Sequence, residues 1–482
     1  MTDSKFNIES IANKLGIDKQ FIKGYKTTEG IAYEISGNTD KKLEIPKQLT
    51  TELPQNFHLE FRHCIFTQEI IIFDCNISKN ITFVDCVFRK VLNFSLSTFN
   101  NDIEFFNVKL ENNIDCEKCQ FKANLKFFGV DNIKVNFKNT IFKERVYFGK
   151  EIDDKNTEKS NSFGSCGFEI AIFLNCQFFS EAYFKNNEFK QAFFQNSKFK
   201  DNIYFNNSHF CEYADFCKCE FEKVACFYGV DFKKTPNFSQ AIFKGNLNLI
   251  NAKLNFDFED LNKRINQEYN AYENQRTRKE AGVIPNLYKE KPLESFANDF
   301  RDSFRIFKNA LIKDNNLLEA SKYHKFELYA KEIELENKQP QKFSKDWIDK
   351  WVLVFYRILC DHHTNLISNL KWLVWLIALY SILLGKLPLF IWFPCLMLFI
   401  CLAPLVYFLK DKNGIFVSQI ISVVIILCVI FQEPKNIFGI AGLFTSDLNW
   451  WQNFITAVYT ILIALVLFSF QKTARKNSIV PS

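Results

Sequence analysis

The sequence predicts a β-solenoid followed by an α-helical connector and an α-helical transmembrane domain. Three observations carry this. Large apolar residues, mostly phenylalanine, recur every five or six positions over 57–256; helical spacing replaces that beat after Leu254; and 366–471 holds four long apolar stretches.

The beat forms two interleaved ladders, each stepping by eleven: Phe66, Ile77, Phe88, Phe99, Leu110, Phe121, and Ile72, Phe83, Phe94, Phe105, Cys116, Phe127. It continues through Phe137, Phe142 and Phe148, pauses over the polar stretch at about 151–165, read as a surface loop, and resumes at Phe173. From there it runs through Phe178, Phe184, Phe189, Phe194, Phe199, Phe205, Phe210, Phe216, Phe221, Phe227, Phe232, Phe238 and Phe243 to Leu249 and Leu254. Small residues often stand two positions earlier, as at Cys64, Cys86, Ser97, Cys119, Ala182 and Cys219. Residues two apart on an extended segment share a face, whereas a beat of five or six fits neither a flat strand nor a helix. A chain that turns a corner about every five residues keeps every pair inside, and stacked coils bring ring onto ring.

The segments "AYFKNNEF", "ADFCKCEF" and "ACFYGVDF" resemble the units of pentapeptide-repeat proteins, with phenylalanine replacing the central leucine. The resemblance spans roughly 57–256 and implies a right-handed, four-sided β-solenoid. This chain departs from the family by adding one residue to every second unit, giving eleven instead of ten. With two elevens per coil, about nine coils give a rod roughly 45 Å long. Some family members mimic DNA, which requires an acidic rod. Here 57–258 holds roughly 25 basic and 25 acidic residues, which argues against mimicry.

Composition sets further limits. The 482 residues include 56 phenylalanines against 15 glycines, and the formal charge of +6 is too small for a general nucleic-acid binder. The 15 cysteines read as reduced core filler, because they recur within the repeat and "MTDSKFNIESIANKLGIDKQ" shows no signal peptide. "CEKC" at 116–119, "CKC" at 217–219 and "CDHH" at 360–363 lack the second ligand pair of a zinc site.

Residues 1–56 are expected to cap the solenoid, with Ile8, Ile11, Leu15 and Ile17 on one face of a short helix. Residues 257–346 read as a helical connector or oligomerisation stalk, with Phe296, Phe300, Phe304, Phe307 and Leu311 at helical spacing and a further helix from about Leu317 to Glu336. There His324, Glu327 and Glu319 read as a solvated surface rather than a metal site. Residues 347–365 form an amphipathic segment suited to a membrane interface. The transmembrane domain, 366–471, is expected to hold four helices at 370–384, 387–409, 415–431 and 454–470. A basic cytoplasmic tail follows at 472–482. Lys410, Lys412, Lys472, Arg475 and Lys476, with Arg357 and Lys371, face the cytoplasm by the positive-inside bias, against Lys386 and Lys435 outside.

No phosphate loop, nucleophile elbow or HExxH motif is present, so neither an enzyme nor a bound cofactor is expected. The leading expectation is a membrane-anchored scaffold of a bacterial inner membrane, with both termini cytoplasmic. Its partners would be the lipid bilayer and an unidentified protein, with no nucleic acid and a homo-oligomer left open. The alternative is a channel or transporter regulated by the solenoid, resting on the segment 433–451 between two apolar stretches.

Overall fold

The computed structural model describes residues 2–27, 30–49, 57–149, 165–254, 256–280, 291–384, 423 and 448–474. The chain divides into two compact units, Met1–Glu319 and Ala320–Ser482.

The first unit is a β-solenoid of about nine turns whose strands, most only two to four residues long, pair in parallel from coil to coil. Register sets the coil length. Phe83 pairs with Phe105 and Phe105 with Phe127, a spacing of 22, whereas Phe178 pairs with Phe199 at 21. A step of eleven therefore crosses to another side of the coil, and the rings that stack are two steps apart. Four inward columns result, exemplified by Phe205 on Phe227, Phe210 on Phe232, Phe216 on Phe238 and Phe221 on Phe243, with centroids 5.1, 5.1, 4.6 and 4.7 Å apart. Rings of neighbouring columns meet edge to face, as Phe216 does with Phe227 at 90°. Both geometries are favoured aromatic contacts.

Two kinds of corner produce the alternating steps. Most five-residue steps contain a left-handed residue, commonly Asn or Asp: Asp74, Asp85, Asn107, Asn139, Asn175, Asn186, Asn196, Asn207 and Asn251 have φ between 51° and 59°; the step from Phe189 to Phe194 stays extended instead. Asn and Asp tolerate this region better than other residues with a Cβ. Gly229 takes the same role, and a Cβ there would lie 2.3 Å from Asn207 Oδ1. The six-residue steps lack this turn, which accounts for the extra residue of every second unit.

The solenoid begins earlier than the phenylalanine beat. Gly30–Ser36 pairs in parallel with His58–Arg62, placing Ile35 beside Phe61, and Leu43–Ile45 pairs with Cys64–Phe66. Ile22–Thr27 folds back antiparallel on Gly30–Ser36. Helix α1, Thr2–Leu15, buries Ile11, Ala12 and Leu15; Ile17 lies beyond it. The polar insertion leaves the stack intact: Val146 pairs with Ala182, 36 residues on, where the next step to Ile203 is 21. The inserted loop itself lies outside the described residues.

Helices α2, Phe258–Glu280, and α3, Leu293–Lys313, pack on the last coils. Phe307 stands on Phe238 and Phe243, with centroids at 4.8 and 6.1 Å, so α3 covers the open apolar end. Arg264 of α2 lies 3.6 Å over the Tyr213 ring, whose hydroxyl oxygen lies 2.7 and 2.8 Å from carboxylate oxygens of Asp215 and Glu268 and shares its one proton between them.

The second unit contains most of α4, Leu317–Asn337, then α5, Lys345–Cys360, α6, Leu366–Leu384, and α7, Trp450–Ala474. The amphipathic helix thus ends at Cys360 rather than 365, and the last helix begins at Trp450, four residues before the apolar stretch 454–470. Of the four expected spans, α6 and α7 alone among the described residues are long and apolar enough to cross a membrane. The stretches 387–409 and 415–431, apart from Val423, and the segment 433–447 lie outside the described residues.

Candidate functional site

The ladder residues named from sequence serve the core. Phe66, Phe83, Phe88, Phe94, Phe99, Phe105, Phe121, Phe178, Phe184, Phe189, Phe205, Phe210, Phe216, Phe221, Phe227, Phe232 and Phe238 are buried; Phe243, on the last coil, is partly so. The small residues do more than fill space. Cys219 Sγ donates to the Phe194 carbonyl at 2.9 Å and Cys119 Sγ to that of Phe94 at 2.9 Å, while Ser97 Oγ reaches Ile72 at 2.7 Å and Thr140 Oγ1 reaches Cys116 at 2.6 Å. Each ties its corner to the coil before it and satisfies a buried carbonyl. The described cysteines are free thiols. Burial pushes the Cys166 and Cys176 thiols up to about 12, away from the reactive thiolate. Among the described residues no group of three or more His, Cys, Asp or Glu side chains is placed to hold a metal ion. The "CEKC", "CKC" and "CDHH" segments form no such group. His324 Nδ1 instead pairs with Glu327 Oε2 at 3.2 Å on one face of α4.

The concentration of buried chemistry lies where α5 turns into α6. Ser344 caps α5 by accepting from the Trp347 amide at 3.2 Å, and the helix runs to Cys360. Asp361, His362 and His363 then have φ of 51°, 53° and 66°, three consecutive residues with a Cβ in the left-handed region. Such a conformation costs roughly 1–2 kcal/mol per residue, so surrounding contacts must hold it. The amides of Thr364 and Asn365 both donate to the Cys360 carbonyl, at 3.1 and 2.9 Å, and close the turn.

The turn sends its histidines apart. His363 Nδ1 lies 3.3 Å from Ser469 Oγ and 3.5 Å from both Thr473 Oγ1 on α7 and Cys360 Sγ. His362 belongs to the α4 side: its Nε2 lies 3.9 Å from Glu332 Oε2, and its ring stands 5.4 Å from that of Tyr329. That distance is too long for a hydrogen bond, and His362 Nε2 is a buried nitrogen without a partner. Arg357 Nε occupies Glu332 instead, at 3.0 Å to each carboxylate oxygen. Tyr329 and Lys325 hold Asp361 from α4, the latter at 3.2 Å. His362 is 1% and His363 7% exposed. Burial lowers their pKa values to about 3 and about 4, and burial raises that of Glu332 despite Arg357. Both imidazoles are therefore held neutral.

Comparison with known protein families, curated proteins and solved structures finds no match for this chain. The likeness to pentapeptide-repeat proteins rests on the repeat pattern, with which the solenoid is compatible.

The last two described helices run antiparallel. Asn369 Nδ2 donates to Ser469 Oγ at 3.1 Å, the Tyr380 hydroxyl and Thr456 Oγ1 lie 3.1 Å apart, and Gln452 Nε2 donates to the Leu384 carbonyl at 2.9 Å. The Tyr380 and Tyr459 rings stack at 3.8 Å. Of the topology residues, Lys472 lies in the last turn of α7; Lys410, Lys412, Arg475 and Lys476 fall outside the described residues. Sequence reading noticed "CDHH" but not its partners, because Glu332 and Ser469 are 30 and 107 residues from His362. Asp361 and the two histidines are residue types that accept the left-handed region more readily than most, but nothing in the sequence marks three such residues in succession.

Proposed function

We propose that the chain is a membrane-anchored interaction protein whose β-solenoid presents its outer faces to a protein partner while the helices from 366 onward hold it in the bilayer. One observation carries the membrane part. Only 33% and 22% of the apolar windows of α6 and α7 are buried, whereas a core helix of a soluble protein hides most of its apolar side chains. Ile367, Leu370, Phe454, Ile461, Leu467 and Phe468 point outward. Buried polar pairs between α6 and α7 instead glue helix to helix, as in bilayer-embedded bundles.

Antiparallel packing also bears on topology. Two antiparallel crossing helices are joined by an even number of further crossings, which favours an even total and accommodates the apolar stretches 387–409 and 415–431. Lys371 and Lys472 lie towards the Asn369–Ser469 end of the pair, while Trp450 and Trp451 lie at the opposite end. That charge distribution supports a multi-pass protein with both termini on the cytoplasmic side. The solenoid supplies a regular, repetitive outer surface of the kind that repeat proteins use for binding.

Alkaline carbonate extraction of native membranes tests the anchor: the chain should stay in the pellet, and release into the supernatant would overturn it. Proximity labelling from the N-terminal region tests the interaction role. A partner labelled above background should be recovered, and labelling of lipid-embedded neighbours alone would remove the scaffold reading. Reproducible conductance of the purified chain in planar bilayers would favour the channel alternative.

A further inference from the structure

The Cys360–Asn365 turn combines features that a simple connection does not need. Its backbone holds three successive left-handed residues with bulky side chains, and its two histidines are buried towards different helices. Each helix offers its histidine something short of a full ionic partner. His363 faces the neutral hydroxyls of Ser469 and Thr473 on α7 and the Cys360 thiol. His362 faces a carboxylate already bound by Arg357.

We propose that this turn is a proton-operated joint, closed while both imidazoles are neutral and opened by their protonation, which frees α4 and α7 from the α5–α6 corner. The proposal builds on the membrane-anchor reading only in placing the joint beside the first span; the joint itself is a property of the second unit.

The charges around the joint support this direction. From α4 come Glu332, Glu336, Lys325 and His324; from α5 come Arg357 and Lys350; from the turn comes Asp361; and from α7 comes Lys472. Asp361 would favour a charged His362, but Lys325 pairs with its carboxylate at 3.2 Å. Glu332 would favour it too, but Arg357 holds both its oxygens. Lys472, Arg357 and His324 oppose added positive charge. A proton entering the closed joint thus meets positive charge and dry surroundings, and water is the better host for an imidazolium. Opening wets both rings and restores their ordinary basicity.

The sign follows from proton linkage. A histidine depressed in the closed state binds fewer protons there than in the open one, so it stabilises closure above its ordinary value of about 6.5 and loses that contribution as pH falls below it. With closed-state values of about 3 and about 4, each ring should shift the open-to-closed ratio roughly tenfold between pH 7.5 and pH 5.5. Together the two give roughly a hundredfold.

Hydrogen exchange of the full chain in lipid nanodiscs, corrected for the intrinsic pH dependence of exchange, reads this directly. Amides of 325–335 and 361–365 should lose about a hundredfold protection between pH 7.5 and pH 5.5, while those of the solenoid core keep theirs. H362Q or H363Q alone should leave about a tenfold loss, and the double variant none. Should H362Q fail to accumulate, H362N, whose amide substitutes for the other ring nitrogen and equally cannot titrate, carries the same test. Wild-type protection unchanged down to pH 5.5 overturns the joint. So does a hundredfold loss that persists in the double variant, because other groups would then be responsible. Failure of carbonate extraction alone would remove the membrane setting and leave the exchange result standing.

Discussion

Phe307 of α3 meets Phe238 edge to face, 4.8 Å between centroids at 79°. Phe238 stacks in turn on Phe216 at 4.6 Å, so a helix ring occupies the place where the next coil would add its phenylalanine. The column ends in a helix instead of open water. An unprotected coil would offer bare apolar surface and unpaired strand edges to a second chain.

Phe307→Ala should therefore do two things. It should destabilise the first unit by about 3 kcal/mol, as loss of a buried ring does, and promote self-association. Denaturant titration together with light scattering checks both; a variant as stable and monodisperse as wild type would contradict the capping role.

Phe221 sits in mid-column, 5.0 Å from Phe199 and 4.7 Å from Phe243. Phe221→Ala should cost about 3–5 kcal/mol. The neighbouring Glu222 points out and pairs with Lys200 at 3.0 Å; Glu222→Gln should leave the unfolding midpoint unchanged, as exposed pairs contribute little. Equal sensitivity at the two positions would count against the assigned register.

Cys219 separates filling from hydrogen bonding. Its thiol satisfies the Phe194 carbonyl, the role Ser197 plays for Phe173 on the previous coil. Cys219→Ser should be tolerated better than Cys219→Ala, which removes the thiol's bond and leaves the Phe194 carbonyl with the Ser197 amide alone, at 3.1 Å, a loss of about 1 kcal/mol beyond the lost packing. The folded protein should contain no stoichiometric zinc, and Cys219 should resist thiol reagents until unfolding. The reverse order of the two variants would refute the hydrogen-bond role.

Glu268 carries a pH dependence of opposite sense to that of the histidines. Burial raises its carboxyl pKa, ahead of the opposing pull of Arg264. A carboxyl raised in the folded state contributes stability fully below its unfolded value of about 4.3 and loses it as pH rises through the raised value. Glu268→Gln, which cannot titrate, should flatten this slope. Urea midpoints between pH 4 and pH 7 decide it; a slope unchanged in the variant would assign the effect elsewhere.

For topology, single cysteines at positions 411, 447 and 478, in a background stripped of native membrane cysteines, report sidedness. Under the four-span reading Asp411→Cys and Ser478→Cys should resist an impermeant thiol reagent in intact cells, while Asp447→Cys should react. Labelling at 478 from outside would sink that reading.

The repeat was legible because a solenoid writes its geometry into sequence directly. Every coil makes the same contacts with the next, so Phe199, Phe221 and Phe243 recur at fixed distance and the inward face can be counted. Apolarity likewise marked α6 and α7, since membrane-compatible composition needs no knowledge of neighbours. The corners were partly readable in hindsight: Asn175, Asn186, Asn196 and Asn207 recur every ten or eleven residues because few side chains accept φ near 57°. The start of the solenoid was hidden, because Ile35 and Ile45 continue the columns without phenylalanine. Only tertiary structure decided that Phe307 closes the rod, that α6 runs antiparallel to α7, and that His362 and His363 face different helices. These depend on residues tens to more than a hundred positions apart, each pairing made once. Local spacing records contacts that repeat along the chain; a contact made once between distant segments leaves no period to read.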